Sequence, residues 1–311
     1  MKKSLFISVL LSCCLMAVDA SLAQQLADTS FSHHILRPAY PRGEGPVIRI
    51  DEAHYNFHTR DGRYLAFSRL LEQDGYRVER LDRIITGPEA LEGCRILVIA
   101  NPLHASNAAS WTLPTPSAFS DEEIGIIKKW VQNGGSLLLI ADHMPFAGAA
   151  YALGKAFGFE FLNGFAITSE NSWPPSEFSR SNGTLAESAV TNGITGQERI
   201  DSVATFTGSA FKSPEGAIAV LNFLPENFSL QPDTAWIFHD NTPESHLGGF
   251  HQGALLNFGK GRVAVFGEAA MFTAQIANGI RKVGMNSEEA PQNAQFALNL
   301  LHWLSFLERY R

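Results

Sequence analysis

The sequence predicts an α/β domain: a mostly parallel, doubly wound sheet with helices on both faces, in three layers. Two observations carry this. Short apolar runs at Val47–Ile50, Tyr76–Leu81, Arg95–Ala100 and Ser136–Ile140 alternate with segments whose apolar residues recur at helical spacing. Each run is then followed by a polar or turn-forming exit, as expected where open α/β sheets place their ligands.

The elements follow in order. Gln24–Gly45 is polar and punctuated by Pro and Gly, so residues 24–45 form an extended arm. Val47–Ile50 is a strand ending at Asp51, and His54-Tyr55-Asn56-Phe57-His58 forms the loop after it. Arg63–Gln73 reads as a helix, because Tyr64, Phe67, Leu70 and Leu71 share one face. Asp74-Gly75 ends it before the strand Tyr76–Leu81. The next strand, Arg95–Ala100, stops at Asn101-Pro102. Leu103–Phe119 is a long loop of small residues and Pro, a length that favours a functional loop over a plain connector. Ser120 with Glu123 three residues on forms a capping box, and Ile124, Ile127, Trp130 and Val131 give that helix its buried stripe.

The stretch Asn133–Phe146, NGGSLLLIADHMPF, organises the rest. Gly134 and Gly135 end the helix, Ser136–Ile140 is a strand apolar on both faces, and Asp142 and His143 arrive at its carboxyl end. Pro145 is read as stopping any immediate helix, so the next one is placed at Ala149–Phe157. Residues 159–201 read as an irregular insertion containing Trp173-Pro174-Pro175. Ser202–Thr207, Ala217–Leu221 and Thr234–Phe238 read as strands. Ala254–Phe258 and Arg262–Phe266 read as a hairpin, and Pro291–Leu307 as a closing helix with Phe296, Leu300, Trp303 and Leu304 on its docking face. Residues 46–311 are therefore expected to form one domain.

Residues 1–23 have the form of a signal peptide: Lys2 and Lys3, an apolar Leu5–Val18, and Ser21-Leu22-Ala23 as a small-x-small cleavage site. The expected location is the periplasm or the medium, with a lipoprotein at Cys13 ranked second. No later stretch is apolar enough to span a bilayer, so no transmembrane helix is expected in the mature chain. Cleavage at Ala23 leaves Cys94 alone, a structural thiol without a disulfide partner. The formal net charge of −7 argues against nucleic acid as a partner.

On GGSLLLIAD and on GRVAVFGEAAMF, with strand ends at Asp51 and Asn101-Pro102, the chain resembles the class I glutamine amidotransferase-like superfamily. It is nearest a branch that includes gliding-motility/ABC-transporter-associated and intraflagellar-transport domains. The resemblance implies the amidotransferase-like, flavodoxin-like fold and a site at the carboxyl edge of the sheet. It does not imply thiol chemistry. Where working amidotransferases carry a Gly-x-Cys-x-Gly elbow this chain has Ala141-Asp142-His143-Met144, and where they carry His-x-Glu it has Gly267-Glu268-Ala269. The Cys-His-Glu triad is absent.

Asp142, His143 and Glu268 are therefore the candidate catalytic residues, from two strand ends that share one edge. Asp51, His54 and His58 are candidate metal ligands, since paired carboxylates and imidazoles suit a divalent ion such as zinc that would activate water. Asn101, Asn56, His239 and His251 are candidate ligand-binding groups, with Asn101 suited to an anion. The competing structural reading gives Asp51 and Asp142 to loop capping, His143 to a backbone carbonyl and Glu268 to N–H groups of its own turn. Trp111, Trp173 and Phe146 are candidates for an apolar platform under a sugar or an aromatic ligand. Two functions are expected from this pattern. The first is an exported binding protein for a small molecule or glycan, with an envelope or transporter protein as partner. The alternative is a metal-assisted hydrolase.

Overall fold

The computed structural model describes residues 25–168 and 175–307. The leader with Cys13 and Ala23, and Trp173 of the aromatic trio, lie outside the described residues.

In chain order, β1 (Gln25–Ala27) precedes β2 (Val47–Asp51), α1 (Leu65–Gln73), β3 (Arg77–Leu81) and β4 (Cys94–Ala100). Then come α2 (Asp121–Gln132), β5 (Ser136–Ile140) and α3 (Phe146–Ala156). The middle of the chain holds β6 (Glu160–Leu162), β7 (Phe165–Ile167), β8 (Ser176–Ser179), a single turn α4 (Ala189–Asn192), β9 (Ser202–Thr205), β10 (Ala210–Lys212), β11 (Ile218–Asn222), β12 (Phe228–Leu230) and β13 (Glu244–His246). The chain closes with β14 (His251–Phe258), β15 (Gly261–Phe266), β16 (Ala274–Ala277), β17 (Arg281–Gly284) and α5 (Asn293–Leu304).

The main sheet has the order β3-β2-β4-β5-β15-β14-β10-β6, with β11 also on β14. From β3 to β15 the neighbours are parallel. From β15 onward every pairing is antiparallel. The expectation of a mostly parallel sheet is thus corrected to a mixed one. The physical reason is the tight β14–β15 hairpin, in which Phe258 faces Gly261, because a two-residue connection reverses the chain.

The sheet is apolar on both sides. Ile50, Val98, Leu138 and Phe266 face a cluster that includes Phe67 of α1 and Phe296 and Leu300 of α5. Leu97, Leu137, Leu139 and Val265 face one that includes Ile127 and Val131 of α2 and Leu153 of α3. Full burial of each such side chain contributes about 1.5–3 kcal/mol.

Local chemistry explains the ends that position the site. Ser120 caps α2: its hydroxyl accepts the Glu123 N–H at 3.2 Å, and the Glu123 carboxylate accepts the Ser120 N–H at 3.1 Å. Gly134 leaves the helix at φ +119°, where an L side chain is strained. The helix expected at Ala149 begins at Phe146 with Pro145 at its N-cap. Proline suits a helix start, where its missing N–H would have had no partner.

Three further readings change. β6, placed in the insertion, forms the far edge of the main sheet through β10. The strand expected at Thr234–Phe238 is a loop with a single bridge, Thr112 to Thr234. The arm is not merely extended: its β1 pairs with β16, in a small sheet of order β1-β16-β17.

Candidate functional site

At the carboxyl ends of β4 and β5, beside the loop after β2, lies a cavity of about 640 Å³. Its floor is Asn101, Asp142, His143 and His58. One wall is aromatic, from Phe57, Trp111, Phe146 and Trp236. The other comes from the small sheet, with Gln275, Ala277 and Val283 beside Gln25 and Leu26 of the arm.

Asn101 sets the floor. It has φ 48°, a left-handed conformation that asparagine tolerates better than most residues. Its Oδ1 accepts the backbone N–H of Asp142 at 2.9 Å, which turns its Nδ2 toward His58 Nδ1 at 3.2 Å. His58 Nδ1 therefore accepts, and the ring proton of a neutral His58 sits on Nε2. Burial, then the charge of Arg63 and the neighbouring His143, push the His58 pKa well below its usual value and favour that neutral form.

His143 has the opposite tautomer. Its Nδ1 donates to the Met144 carbonyl at 2.6 Å, so the lone pair of the neutral ring lies on Nε2, which has no protein partner among the described residues. Its ring stacks on Phe165 at 4.4 Å and 11°. Burial lowers its pKa against the pull of Asp142. Asp142 accepts the His143 N–H at 2.8 Å. The floor thus offers one imidazole N–H and one imidazole lone pair, both in neutral rings.

Glu268 is placed differently from the expectation. It is fully buried behind the floor, where its carboxylate accepts the Ala270 N–H at 2.9 Å and the Met271 N–H at 2.6 Å. Burial, then the nearby Asp142, raise its pKa well above the usual carboxylate range. It shapes the turn after β15 and does not line the cavity.

The candidate metal ligands are not brought together. Asp51 and His54 meet, but in a closed network outside the cavity. His54 Nδ1 lies 2.8 Å from Asp51, its Nε2 lies 3.0 Å from Glu123, and Asn56 Nδ2 donates to Asp51 at 3.0 Å. Burial works against the imidazolium, yet hydrogen bonds and charge from Asp51 and Glu123 outweigh it and raise the His54 pKa. With both ring nitrogens committed to carboxylates, His54 has no lone pair for a metal. His58 faces the cavity instead. Among the described residues no three His, Cys, Asp or Glu side chains are grouped as a metal site requires.

Of the remaining candidates, Asn101 is on the floor and Asn56 belongs to the closed network. His251 Nδ1 contacts Asn222 Oδ1 at 2.9 Å and does not line the cavity. His239 is exposed, in the loop beyond Trp236, and does not line it either. Cys94 opens β4, at the opposite end of that strand from Asn101, and burial pushes its thiol pKa up to about 12. It is no displaced nucleophile.

Sequence reasoning missed Arg63, assigned to the first helix, and Trp236, assigned to a strand. The Trp236 wall is built by pairing: the Leu113 N–H donates to the Asp233 carbonyl and the Ala235 N–H to the Trp111 carbonyl, both at 2.9 Å. This zips the long loop after β4 to the loop after β12 and sets both tryptophans against the cavity. Trp236 has φ 68°, a strained conformation for a bulky residue and a common feature of ligand clamps. Gln275 was missed with the whole β16–β17 hairpin, although Asn278-Gly279 at its tip is a turn signal.

The sequence matches no family model and no curated protein. Solved structures resemble the chain in fold. The N-terminal domain of mmIFT52 is 14% identical, with 83% of this chain and 97% of that one covered at a TM-score of 0.57. A ThuA-like protein from Bacteroides uniformis is 13% identical, with 88% and 94% covered at 0.46. A cytoplasmic protein from Salmonella typhimurium is 15% identical, with 83% and 98% covered at 0.49. The likeness is one of fold alone.

Proposed function

We propose that this chain is an exported binding protein of amidotransferase-like fold, and that its cavity takes a small glycan. One observation carries the reading: an aromatic wall faces a floor of polar groups whose orientations are already fixed. Sugars present C–H faces to aromatic rings and hydroxyls to paired donors and acceptors. The Trp111–Trp236 wall and the Asn101–His58–Asp142–His143 floor supply both. Fixing these groups beforehand lowers the ordering cost of binding.

The leader motif supports export, and an envelope or transporter protein is the partner class consistent with it. No helix among the described residues is long and apolar enough to cross a membrane.

The test is thermal shift and calorimetry on the chain from Gln24, against envelope mono- and disaccharides. Binding that stabilises the protein and is weakened at least about tenfold by Trp236→Ala supports the reading. Binding indifferent to Trp111→Ala and Trp236→Ala would move the site elsewhere.

A hydrolytic reading stands second, favoured by the unpartnered Nε2 lone pair of His143, which is placed to take a proton from water. The metal-assisted form has less support, because Asp51 and His54 are committed to each other, to Asn56 and to Glu123. Turnover of a bound glycan that is lost in His143→Gln, with binding retained, would favour this second reading.

A further inference from the structure

Three polar features of the cavity are left unsatisfied by the protein, and together they describe a ligand. The first is Arg63. Its guanidinium lies 3.7 Å from the Phe57 ring centroid and donates through Nη1 to the Phe57 carbonyl at 3.2 Å. Its Nε is buried without a hydrogen-bond partner, and no Asp or Glu among the described residues lies within ion-pair distance of it. A half-buried cation with a buried orphan N–H is costly unless an acceptor, best an anion, arrives.

The second is Gln275. It is 0% exposed, its Nε2 donates to Thr273 Oγ1 at 2.8 Å, and its Oε1 has no partner. A buried orphan acceptor calls for a donor, and a hydroxyl is the simplest. The third is the His58 Nε2–H, fixed as a donor by Asn101.

We infer that the ligand is an acidic sugar, a uronic acid or short uronate, with its carboxylate on Arg63 and the His58 N–H and a hydroxyl on Gln275 Oε1. This rests on the glycan reading above and adds to it the charge of the ligand. Arg63 suits the task because its planar fork matches a carboxylate, and stacking on Phe57 already limits its freedom. A neutral sugar would leave the orphan N–H of Arg63 without an anion.

The experiment is calorimetry on the chain from Gln24 with glucuronic, galacturonic, mannuronic and guluronic acids and their disaccharides. Each is paired with its methyl ester and its neutral parent sugar. The expected result is that at least one acid binds about tenfold or more tighter than both its ester and its neutral parent. In Arg63→Gln the ratio of acid to ester affinity should fall to about unity, a loss of preference that a merely structural role for Arg63 would not produce. Gln275→Leu should weaken acid and ester alike.

Equal affinity of wild type for acid, ester and parent sugar overturns the inference and leaves the glycan reading standing. Absence of binding by every member of the panel overturns both. If Arg63→Gln does not fold, the comparison of acid with ester on the wild-type protein decides alone, because it alters only the ligand.

Discussion

Two Asp–His pairs stand at the same edge of this sheet, on either side of β4, and they do different work. Asp51 ends β2, with His54 three residues on, and Asp142 with His143 follows β5. In the first pair both imidazole nitrogens meet carboxylates, at 2.8 and 3.0 Å. In the second, one nitrogen is tied to a backbone carbonyl and the other is left open beside a cavity. The residue types are the same, and both pairs lie at carboxyl strand ends. The difference is Glu123, whose capping of α2 also delivers its carboxylate to His54. A polar cluster at a strand end becomes structural when a neighbouring element closes it, and a site when none does.

The sharpest test of this contrast removes the closed cluster's cation. His54→Ala leaves Asp51 and Glu123 as buried carboxylates without it, and should cost about 3–5 kcal/mol in urea unfolding. A loss below about 1 kcal/mol would end the structural assignment. His143→Gln, by contrast, keeps a side chain able to donate to the Met144 carbonyl. It should cost no more than about 1 kcal/mol while changing what the cavity binds or turns over.

The two clusters also differ in the sign of their pH dependence. The His54 pKa is raised on folding, so its contribution is fully present below about pH 6.5, its unfolded value, and is lost as pH rises through the folded one. The pKa values of His58 and His143 are lowered, so their contributions are full above about pH 6.5 and are lost as pH falls toward the folded values. Melting curves of wild type minus His54→Gln and wild type minus His143→Gln should therefore slope in opposite directions across neutrality. Parallel slopes would show that the clusters are not distinct. The smallest effect belongs to Cys94→Ser, expected to shift stability by about 1 kcal/mol or less, with slow alkylation of the wild-type thiol as the independent check.

Much of the fold was legible because it rests on local rules. Ser136–Ile140 is apolar on both faces and flanked by glycine, so its limits were readable to the residue. The Ser120–Glu123 box marked the start of α2 from four residues alone. The site was legible only in part. Asp142, His143, Asn101 and His58, singled out because strand ends converge on one edge, line one cavity. Which Asp–His pair would be closed was hidden, since it depends on Glu123, far along the chain from His54. Thr234–Phe238 looked like a strand because its apolar and aromatic residues fit one, but its partner is a three-residue stretch of the long loop. Pro145, which breaks a helix interior, stands at the N-cap of α3, where no intrahelical N–H is lost. The β16–β17 hairpin was passed over although Asn278-Gly279 announced it.

One pairing has a consequence in time as well as in space. Gln25 of β1 lies opposite Ala277 of β16, so the first described strand and a late hairpin together wall the cavity. A chain emerging from its N-terminus can assemble β2 through β5 well before β16 exists. The cavity wall therefore cannot close until late in the chain, and its closure carries the entropy of a long loop. The small sheet should also be among the first parts to open. Amide hydrogens of β1 and β16 should exchange earlier than those of β4 and β5, so the cavity can admit a ligand through its wall without disturbing the core.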